Sequence, residues 1–328
     1  MDWFEHYANG ITCLLCEQYC FLPPGNVGLC GNQKNGNGVL EGVTYGRPSA
    51  LSITHIEERP FLHVLPGADV LALGTAGCNL HCPGCQNHVL TQHYGNVEPL
   101  ELPPGEVVKL ALENRLKAIS FGYNEPVVYY PYAREIGQIA RNKGVRTLFQ
   151  TAGMGSPMVT EDMTEWVDAV HFDLKSFRPA YYRSVLGGSL CAAKENLRTL
   201  ARSKVWLEVT TLVVNGVNDS NDELADIARF IAEELGPHVP WHVSAFTPAN
   251  YRLSHPPTSN SALLRAFEAG KAAGLHYVYF GNVPWLNDTR CPGCDVLLIQ
   301  HQEYDILENH LHEGACPSCG RMLEGVWS

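Results

Sequence analysis

Closely spaced cysteines are the side chains of this sequence best suited to bind metals or to carry out redox chemistry. The chain has 12 cysteines, and Cys191 alone lies outside a group. The three groups are Cys13, Cys16, Cys20 and Cys30; Cys78, Cys82 and Cys85; and Cys291, Cys294, Cys316 and Cys319. In a reducing compartment such spacings indicate metal or redox sites rather than a disulfide framework. Cys191 is predicted to be a small buried apolar residue.

The central group predicts an incomplete metal site. Cys78-x3-Cys82-x2-Cys85 supplies three thiols within eight residues, with no obvious fourth. A [4Fe–4S] cluster has four irons to ligate, so three thiolates leave one iron open to a small molecule. The alternative is a tetrahedral zinc site that His81 or His88 completes.

The C-terminal group has the spacing of a zinc ribbon. Cys291-Pro-Gly-Cys294 and Cys316-Pro-Ser-Cys319 form two CxxC knuckles with 21 residues between them. Two such knuckles supply the four thiolates that structural zinc requires. The segment between them holds acidic residues and no Lys or Arg, which argues against DNA binding. A short strand is predicted at 296–299.

The N-terminal group, Cys13-x2-Cys16-x3-Cys20-x9-Cys30, is irregular for zinc. Zinc and an auxiliary iron–sulfur cluster both fit such soft ligands, and ligand softness does not separate them. A cluster here could relay electrons or bind substrate, whereas a structural module is the simpler interpretation.

Alternating strand and helix patterns between the outer groups must position the central cysteines. The predicted strands are 69–74, 118–122, 145–149, 169–173, 205–214, 241–246 and 277–280, and the predicted helices are 105–115, 127–143, 222–235 and 261–273. This alternation predicts an α/β fold of parallel βα units, a partial (β/α)6 barrel of the TIM type with a possible seventh strand. The central cysteines follow the first strand, at the end where barrel active sites lie. A doubly wound open sheet is the competing architecture, although no GxGxxG or P-loop motif follows the first strand.

Composition and charge exclude several classes of protein. The 328 residues are 45% apolar, which suits a folded chain, and a net charge of −11 argues against a nucleic-acid or anionic-membrane surface. No apolar run approaches the ~18 residues of a membrane span. The sequence starts without a basic and apolar leader, so we expect a cytoplasmic protein.

The central motif resembles the cluster-binding signature of radical S-adenosylmethionine (SAM) enzymes. Almost the whole chain resembles the radical SAM member of the AmmeMemoRadiSam system, which is related to pyruvate formate-lyase activating enzyme. The resemblance begins at the first cysteine group and ends at the last. The segments that carry it between those groups are 45–46, 56–60, 63–67, 77–78, 123–126, 172–175, 208–212, 216–219, 240–242 and 281–284.

This resemblance implies a [4Fe–4S] cluster on Cys78, Cys82 and Cys85, with its fourth iron chelated by the amino and carboxylate groups of SAM. One electron would cleave the sulfonium to a 5′-deoxyadenosyl radical, which abstracts hydrogen from a substrate. The protein must then orient SAM and exclude competing reactions. The implied partners are an electron donor such as flavodoxin or ferredoxin and, from the family name, Memo-like and AMMECR-like proteins.

The resemblance also assigns residues around SAM. Asn124 and Glu125 belong to a loop that holds the SAM amino group. Asp173 and Lys175 lie near SAM and the substrate, and His242 contacts SAM. From the residues alone, Glu125 could instead begin a helix, and His242 could be an interior histidine. Asp173 and Lys175 could be a structural ion pair.

Two segments depart from the family pattern. The residue before the last cluster cysteine is usually aromatic and packs near adenine, but here it is Gly84. The third strand commonly ends in Thr-Asn-Gly, whereas 149–153 reads Phe-Gln-Thr-Ala-Gly. Adenine packing must therefore come from elsewhere, and the contact usually made after the third strand is in doubt.

The sequence as a whole predicts a radical SAM enzyme whose substrate is a protein or a small molecule. A glycyl-radical-enzyme activase is the alternative within the enzyme class, and a non-catalytic zinc or iron–sulfur assembly protein is the alternative outside it. We expect a Cys-rich module at 1–50, a radical SAM core at 51–288 and a zinc-ribbon-like module at 289–328.

Overall fold

The N-terminal cysteines lie among short strands that precede the main sheet. The computed structural model describes residues 2–92, 98–248 and 255–328. The first five strands are β1 (Phe4–Tyr7), β2 (Gly10–Cys13), β3 (Phe21–Leu22), β4 (Gln33–Gly36) and β5 (Val39–Gly42). Strands β1–β3 form one antiparallel sheet, and β4 pairs with β5.

An eight-stranded sheet forms the centre of the molecule. Its strands are β6 (Ala50–His55), β7 (Asp69–Gly74), β8 (Ala118–Phe121), β9 (Arg146–Thr151), β10 (Ala169–Asp173), β11 (Trp206–Val213), β12 (Trp241–Ala245) and β13 (Val278–Gly281). Strands β7 to β13 pair in parallel, and β6 pairs antiparallel with β7 at one edge. Neighbours follow chain order without the reversal that defines a doubly wound sheet. The α/β partial barrel is therefore confirmed, with seven parallel strands rather than six.

Helices connect the strands. They are α1 (His88–Gln92), α2 (Pro104–Glu113), α3 (Tyr130–Asn142), α4 (Pro157–Met163), α5 (Pro179–Tyr181), α6 (Leu190–Ala201), α7 (Asn221–Phe230) and α8 (Asn260–Ala272). Single 3₁₀ turns lie at Ile56–Glu58 and Pro126–Tyr129, and π-helical turns at Tyr182–Leu186 and Ile231–Leu235. Serine side chains cap α4, α6, α7 and α8 by accepting from a backbone amide three residues on. The predicted cap at Ser220 is one of them.

Cys191 corrects one prediction, because its side chain is exposed rather than buried. It lies in the first turn of α6, which the sequence analysis did not predict. The buried face of α6 runs through Leu190, Ala193, Leu197 and Leu200 at helical spacing. Position 191 falls outside that stripe and faces solvent.

The interior strands are buried along most of their length. Every residue of β8 and of β12 is buried. Helices cover the outer face of the sheet, and the inner face combines apolar side chains with buried polar ones such as His171 and His242. The strands were recognisable from the short apolar runs that each of them contains.

The C-terminal cysteines flank a small antiparallel sheet of β14 (Leu286–Arg290), β15 (Leu297–Gln302) and β16 (Asp305–Asn309). Strand β15 agrees with the strand predicted at 296–299. The segment after the last cysteine returns to the core, because the Val326 amide donates to the His63 carbonyl at 2.8 Å. Within the described ranges, no helix is long and apolar enough to cross a membrane. The division at residues 50 and 288 stays a prediction.

Candidate active site

One large cavity opens at the carboxyl ends of the parallel strands. It has a volume of about 740 Å³. Eight residues that the sequence analysis assigned to the cluster and to SAM all line it: Cys78, Cys82, Cys85, Asn124, Glu125, Asp173, Lys175 and His242. These residues follow or lie on four different strands, β7, β8, β10 and β12, so the fold, rather than proximity in sequence, brings them together.

The three central cysteines lie on the loop after β7, and all are partly accessible. The backbone amides of Leu80 and Glu125 donate to the Cys78 sulfur. Burial raises the pKa of Cys78 to about 12 and, against the opposing charge of Lys175, that of Cys82 to about 11. The free Cys78 and Cys82 thiols are thus protonated at neutral pH, and metal binding would displace their protons.

The donor set fits a cluster with one open iron. Within the described part of the chain, the cavity lining contains no fourth cysteine, and neither His81 nor His88 belongs to it. Neither histidine joins the three thiols in a group whose ligand atoms all lie within 4.8 Å of one another, among described residues. The zinc alternative therefore has no geometric support here.

Asn124 fixes the loop that carries the cluster cysteines. Its side-chain oxygen accepts from the Thr75 amide at 3.0 Å, and its amide nitrogen donates to the Gly77 carbonyl at 2.7 Å. Gly77 itself has φ +92°, and a Cβ there would lie 2.2 Å from the carbonyl oxygen of Cys30. Only glycine fits this position, where the N-terminal module packs directly against the cluster loop.

Glu125 connects the loop after β8 to the loop after β9. Its carboxylate accepts from the Thr151 hydroxyl at 2.7 Å, from the Ala152 amide at 2.8 Å and from the Val127 amide at 3.3 Å. The contact to Val127 is the cap of the 3₁₀ turn, so the helix-start interpretation also describes this side chain. Residues 151–152 belong to the segment that departs from the family pattern, and they hold Glu125 in place.

Asp173 and Lys175 form an ion pair at the end of β10. Burial opposes the charge on Lys175, but the charge and hydrogen bond of Asp173, together with the neighbouring Cys82, outweigh burial and raise the pKa of Lys175 above its usual value. Asn218 supports the pair by donating to the Lys175 carbonyl at 2.9 Å. Both charged groups line the cavity, so the pair is accessible to a ligand there.

His242 is held by a buried carboxylate. Its Nε2 lies 2.7 Å from Oε2 of Glu208, and both side chains are almost fully buried. Glu208 also accepts from the amides of Leu62 and His63. Burial alone would raise the pKa of Glu208, but the hydrogen bond and charge of His242 lower it to about 2. This ionised carboxylate fixes the orientation of the His242 ring.

The sequence analysis missed three side chains at the cavity or beside it. Glu208 orients His242, Thr151 holds Glu125, and His171 lines the cavity beside His242. Burial and the neighbouring His242 lower the pKa of His171 to about 3, so it is neutral at physiological pH. Strand alternation could have found His171, because it lies two residues before Asp173 on the same face of β10.

The two outer cysteine groups differ in spacing. All four C-terminal sulfurs lie within 4.8 Å of one another, with Cys291–Cys319 and Cys294–Cys316 separations of 3.5 and 3.6 Å. Sulfurs about 2.3 Å from a tetrahedral zinc lie about 3.8 Å apart, so this group fits a single ion. The N-terminal cysteines instead line a small cavity of their own.

Comparison with known proteins identifies the family. The sequence matches the radical SAM superfamily over residues 73–231, the segment from β7 to the end of α7. The chain belongs to that superfamily. Over 324 residues this radical SAM protein is 34% identical to an uncharacterized protein of Methanocaldococcus jannaschii, spanning 97% of this chain and 96% of that protein.

Two further similarities are to named proteins. Over 117 residues the radical SAM protein is 32% identical to the isethionate sulfite-lyase activating enzyme of Oleidesulfovibrio alaskensis, covering 35% of this chain and 38% of that enzyme. Its fold resembles Streptococcus suis SuiB bound to S-adenosylmethionine, with a TM-score of 0.51 and 11% identity over 69% of this chain and 52% of that one. At that identity the likeness supports the fold alone.

Proposed function

We propose that this radical SAM protein cleaves SAM reductively at Cys78, Cys82 and Cys85 and uses the resulting radical to take a hydrogen atom from a substrate in the cavity. The observation that carries this proposal is the composition of one cavity, where three thiols without a fourth face charged and polar groups suited to SAM. Its 740 Å³ lies within the ~300–1,000 Å³ typical of small-ligand sites. When bound, the cluster supplies one electron that breaks a carbon–sulfur bond of SAM.

The side chains of this protein would bind and orient the two cofactors. The three cysteines hold three irons, and the Leu80 and Glu125 amides stabilise the Cys78 thiolate. Lys175 and Asp173 offer one charge of each sign to a ligand that itself carries a carboxylate and positive groups.

An apolar part of the same cavity lining offers a packing surface for adenine, which Gly84 lacks the side chain to provide. Leu212, Val214 and Phe246 line the cavity at the ends of β11 and β12. We infer that the adenine ring of SAM packs there, because a flat heterocycle gains most from apolar contact. Phe246→Ala should raise the KM for SAM while leaving the iron content unchanged.

We propose that the protein is a radical SAM enzyme of the AmmeMemoRadiSam type, which almost the whole chain resembles, and that its substrate is a protein or a small molecule. We propose a low-potential flavodoxin or ferredoxin as electron donor and Memo-like and AMMECR-like proteins as functional partners. The most useful observation would be deuterium transfer into 5′-deoxyadenosine from a labelled candidate in cell extract.

Activation of a glycyl-radical enzyme is a second candidate function. The similarity to isethionate sulfite-lyase activating enzyme favours it, although that similarity covers only 38% of that enzyme. In this case deuterium would come from the α-carbon of a glycine in a protein substrate. Transfer from a small molecule instead would exclude the activase.

The test is anaerobic reconstitution of the full chain with iron and sulfide, followed by SAM and dithionite. We expect 5′-deoxyadenosine from the wild-type protein and none from Cys78→Ala. Cys191→Ala is the matched control, because Cys191 is exposed on α6 and far in sequence from every cysteine group. A fully loaded, reducible cluster that yields no 5′-deoxyadenosine would reject the proposal in favour of a non-catalytic assembly protein.

A further inference from the structure

The four N-terminal cysteines surround a second cavity that is distinct from the candidate active site. Cys13, Cys16, Cys20 and Cys30 all line it, and three of the four are buried. Its volume is about 10 Å³, which is room for roughly one water molecule. Four thiols that share one enclosed space are a ligand set, whereas four unrelated core cysteines would pack against other side chains.

This cavity is too open for a single zinc ion. Zinc holds each sulfur at about 2.3 Å, so four zinc ligands leave no space for a water between them. The C-terminal group meets that requirement, and within the described part of the chain it is the only set of three or more metal-binding side chains whose ligand atoms all lie within 4.8 Å of one another. The N-terminal sulfurs are therefore farther apart than the ligands of one ion.

A cluster removes this difficulty, because each thiolate then binds a different iron and the cluster core fills the space between them. The sulfurs of the three central cysteines, at the site proposed above for the catalytic cluster, likewise do not all lie within 4.8 Å of one another. We propose that Cys13, Cys16, Cys20 and Cys30 bind an iron–sulfur cluster of their own rather than zinc.

Asn79 gives independent support. Its side chain is 98% buried, lines the N-terminal cavity and faces the Cys16 sulfur. Neither its Oδ1 nor its Nδ2 has a conventional hydrogen-bond partner among the described residues. An amide left in this way is costly unless a ligand accepts from it. Amide N–H groups that donate to cluster sulfurs are among the contacts that set the potential of an iron–sulfur cluster.

The number of cysteine ligands limits what this cluster can bind. Four thiolates occupy every iron of a four-iron cluster, so no iron is open to SAM or to a substrate. The site is also next to the catalytic loop, since Asn79 directly follows Cys78 and the Cys30 carbonyl packs against Gly77. The inference does not depend on SAM cleavage, because it concerns a different set of ligands.

The deciding variant removes the central cysteines and leaves the N-terminal group intact. We expect full-length Cys78→Ser/Cys82→Ser/Cys85→Ser, reconstituted without oxygen, to retain iron, acid-labile sulfide and visible iron–sulfur absorption. Adding Cys13→Ser and Cys16→Ser should reduce all three signals to background, whereas adding Cys191→Ser should not.

Two results would overturn the assignment. One is a triple variant without acid-labile sulfide. The other is a wild-type protein that binds two equivalents of zinc and a single cluster. If the five-cysteine variant does not fold, the triple variant still decides the question, and Mössbauer spectra of the wild-type protein provide a second count of iron sites. Either negative result leaves 5′-deoxyadenosine formation at Cys78, Cys82 and Cys85 untouched.

Discussion

The cysteines after β7 form an open ligand set, whereas the cysteines around β14–β16 form a closed one. The central three line a 740 Å³ cavity and would leave one position of the proposed cluster open. The C-terminal four close around one another at 3.5 and 3.6 Å, with every ligand position filled by the protein. An open site admits a reacting molecule, whereas a closed site can only stabilise the fold. Cysteine count alone does not separate these roles, but spacing does.

The largest expected effect separates the two sites by activity. Cys82→Ala should abolish 5′-deoxyadenosine formation, because two thiolates do not hold the cluster in place. The measurement is product formation per iron under dithionite, compared with Cys191→Ala. Activity that persists in the Cys82 variant would show that the open site lies elsewhere.

The second prediction tests the closed site by stability. Cys291→Ser/Cys316→Ser removes the two buried ligands of the C-terminal group and should release one equivalent of metal. We expect the thermal midpoint to fall by at least about 4 °C, because a lost structural metal exposes the small cluster packed around it. Iron content should stay constant. A variant that loses iron but not zinc would reverse the assignment of the two sites.

A third prediction concerns the ion pair between Asp173 and Lys175 at the open site. Lys175→Met removes the cation that we propose for SAM, at a cost of about 1.5–3 kcal/mol for a hydrogen bond to a charged group. The KM for SAM should rise roughly tenfold or more, with the iron content unchanged. Asp173→Asn and the double variant complete a cycle, and strictly additive effects would show that the two residues act apart.

The smallest expected effect is on the pH dependence of stability, and it concerns Glu57 in the wall of the large cavity. Burial raises the pKa of Glu57 to about 7, above the 4.5 of an exposed glutamate. The folded protein therefore binds this proton more tightly than the unfolded chain, and its contribution to stability falls as pH rises from 4.5 to 7.

Glu57→Gln should remove that slope. Its new amide nitrogen replaces a carboxylate oxygen that has no partner among the described residues. This replacement changes the free energy of unfolding by the same amount at every pH, so it adds no slope of its own. Relative to the wild type, the variant should become steadily more stable in urea unfolding as the pH rises from about 5 to about 7. A parallel pH dependence of both proteins would contradict the shift.

The parts of this molecule that sequence could predict are those with a local signal. Seven strands were recognisable because each contains a short run of apolar residues, and the C-terminal zinc-ribbon spacing is confined to two short knuckles. The antiparallel edge strand β6 carries no such signal, since its buried and exposed residues do not alternate. Helix α6 was missed with it, and Cys191 was misjudged as a result.

The residues of the candidate site also divide into those that sequence could predict and those that it could not. Its cysteines could be found from spacing, and Asn124, Glu125, Asp173, Lys175 and His242 from resemblance. Glu208 could not, because its role depends on the register that sets β11 beside β12 and brings it to His242. The spacing of the N-terminal sulfurs also depends on how β2, β3 and the cluster loop pack, which no local pattern records.

The hydrogen bonds around His63 give the C-terminal module a second consequence. The Glu324 carbonyl lies 3.0 Å from His63 Nδ1, the His63 amide donates to Glu208 at 2.9 Å, and Glu208 holds His242 at the cavity. A chain of hydrogen bonds thereby connects the C-terminal module to His242 at the cavity. Any coupling carried by this chain must be reciprocal, so a ligand in the cavity that changes metal affinity at Cys316 and Cys319 has its own affinity changed by the same factor when the metal binds.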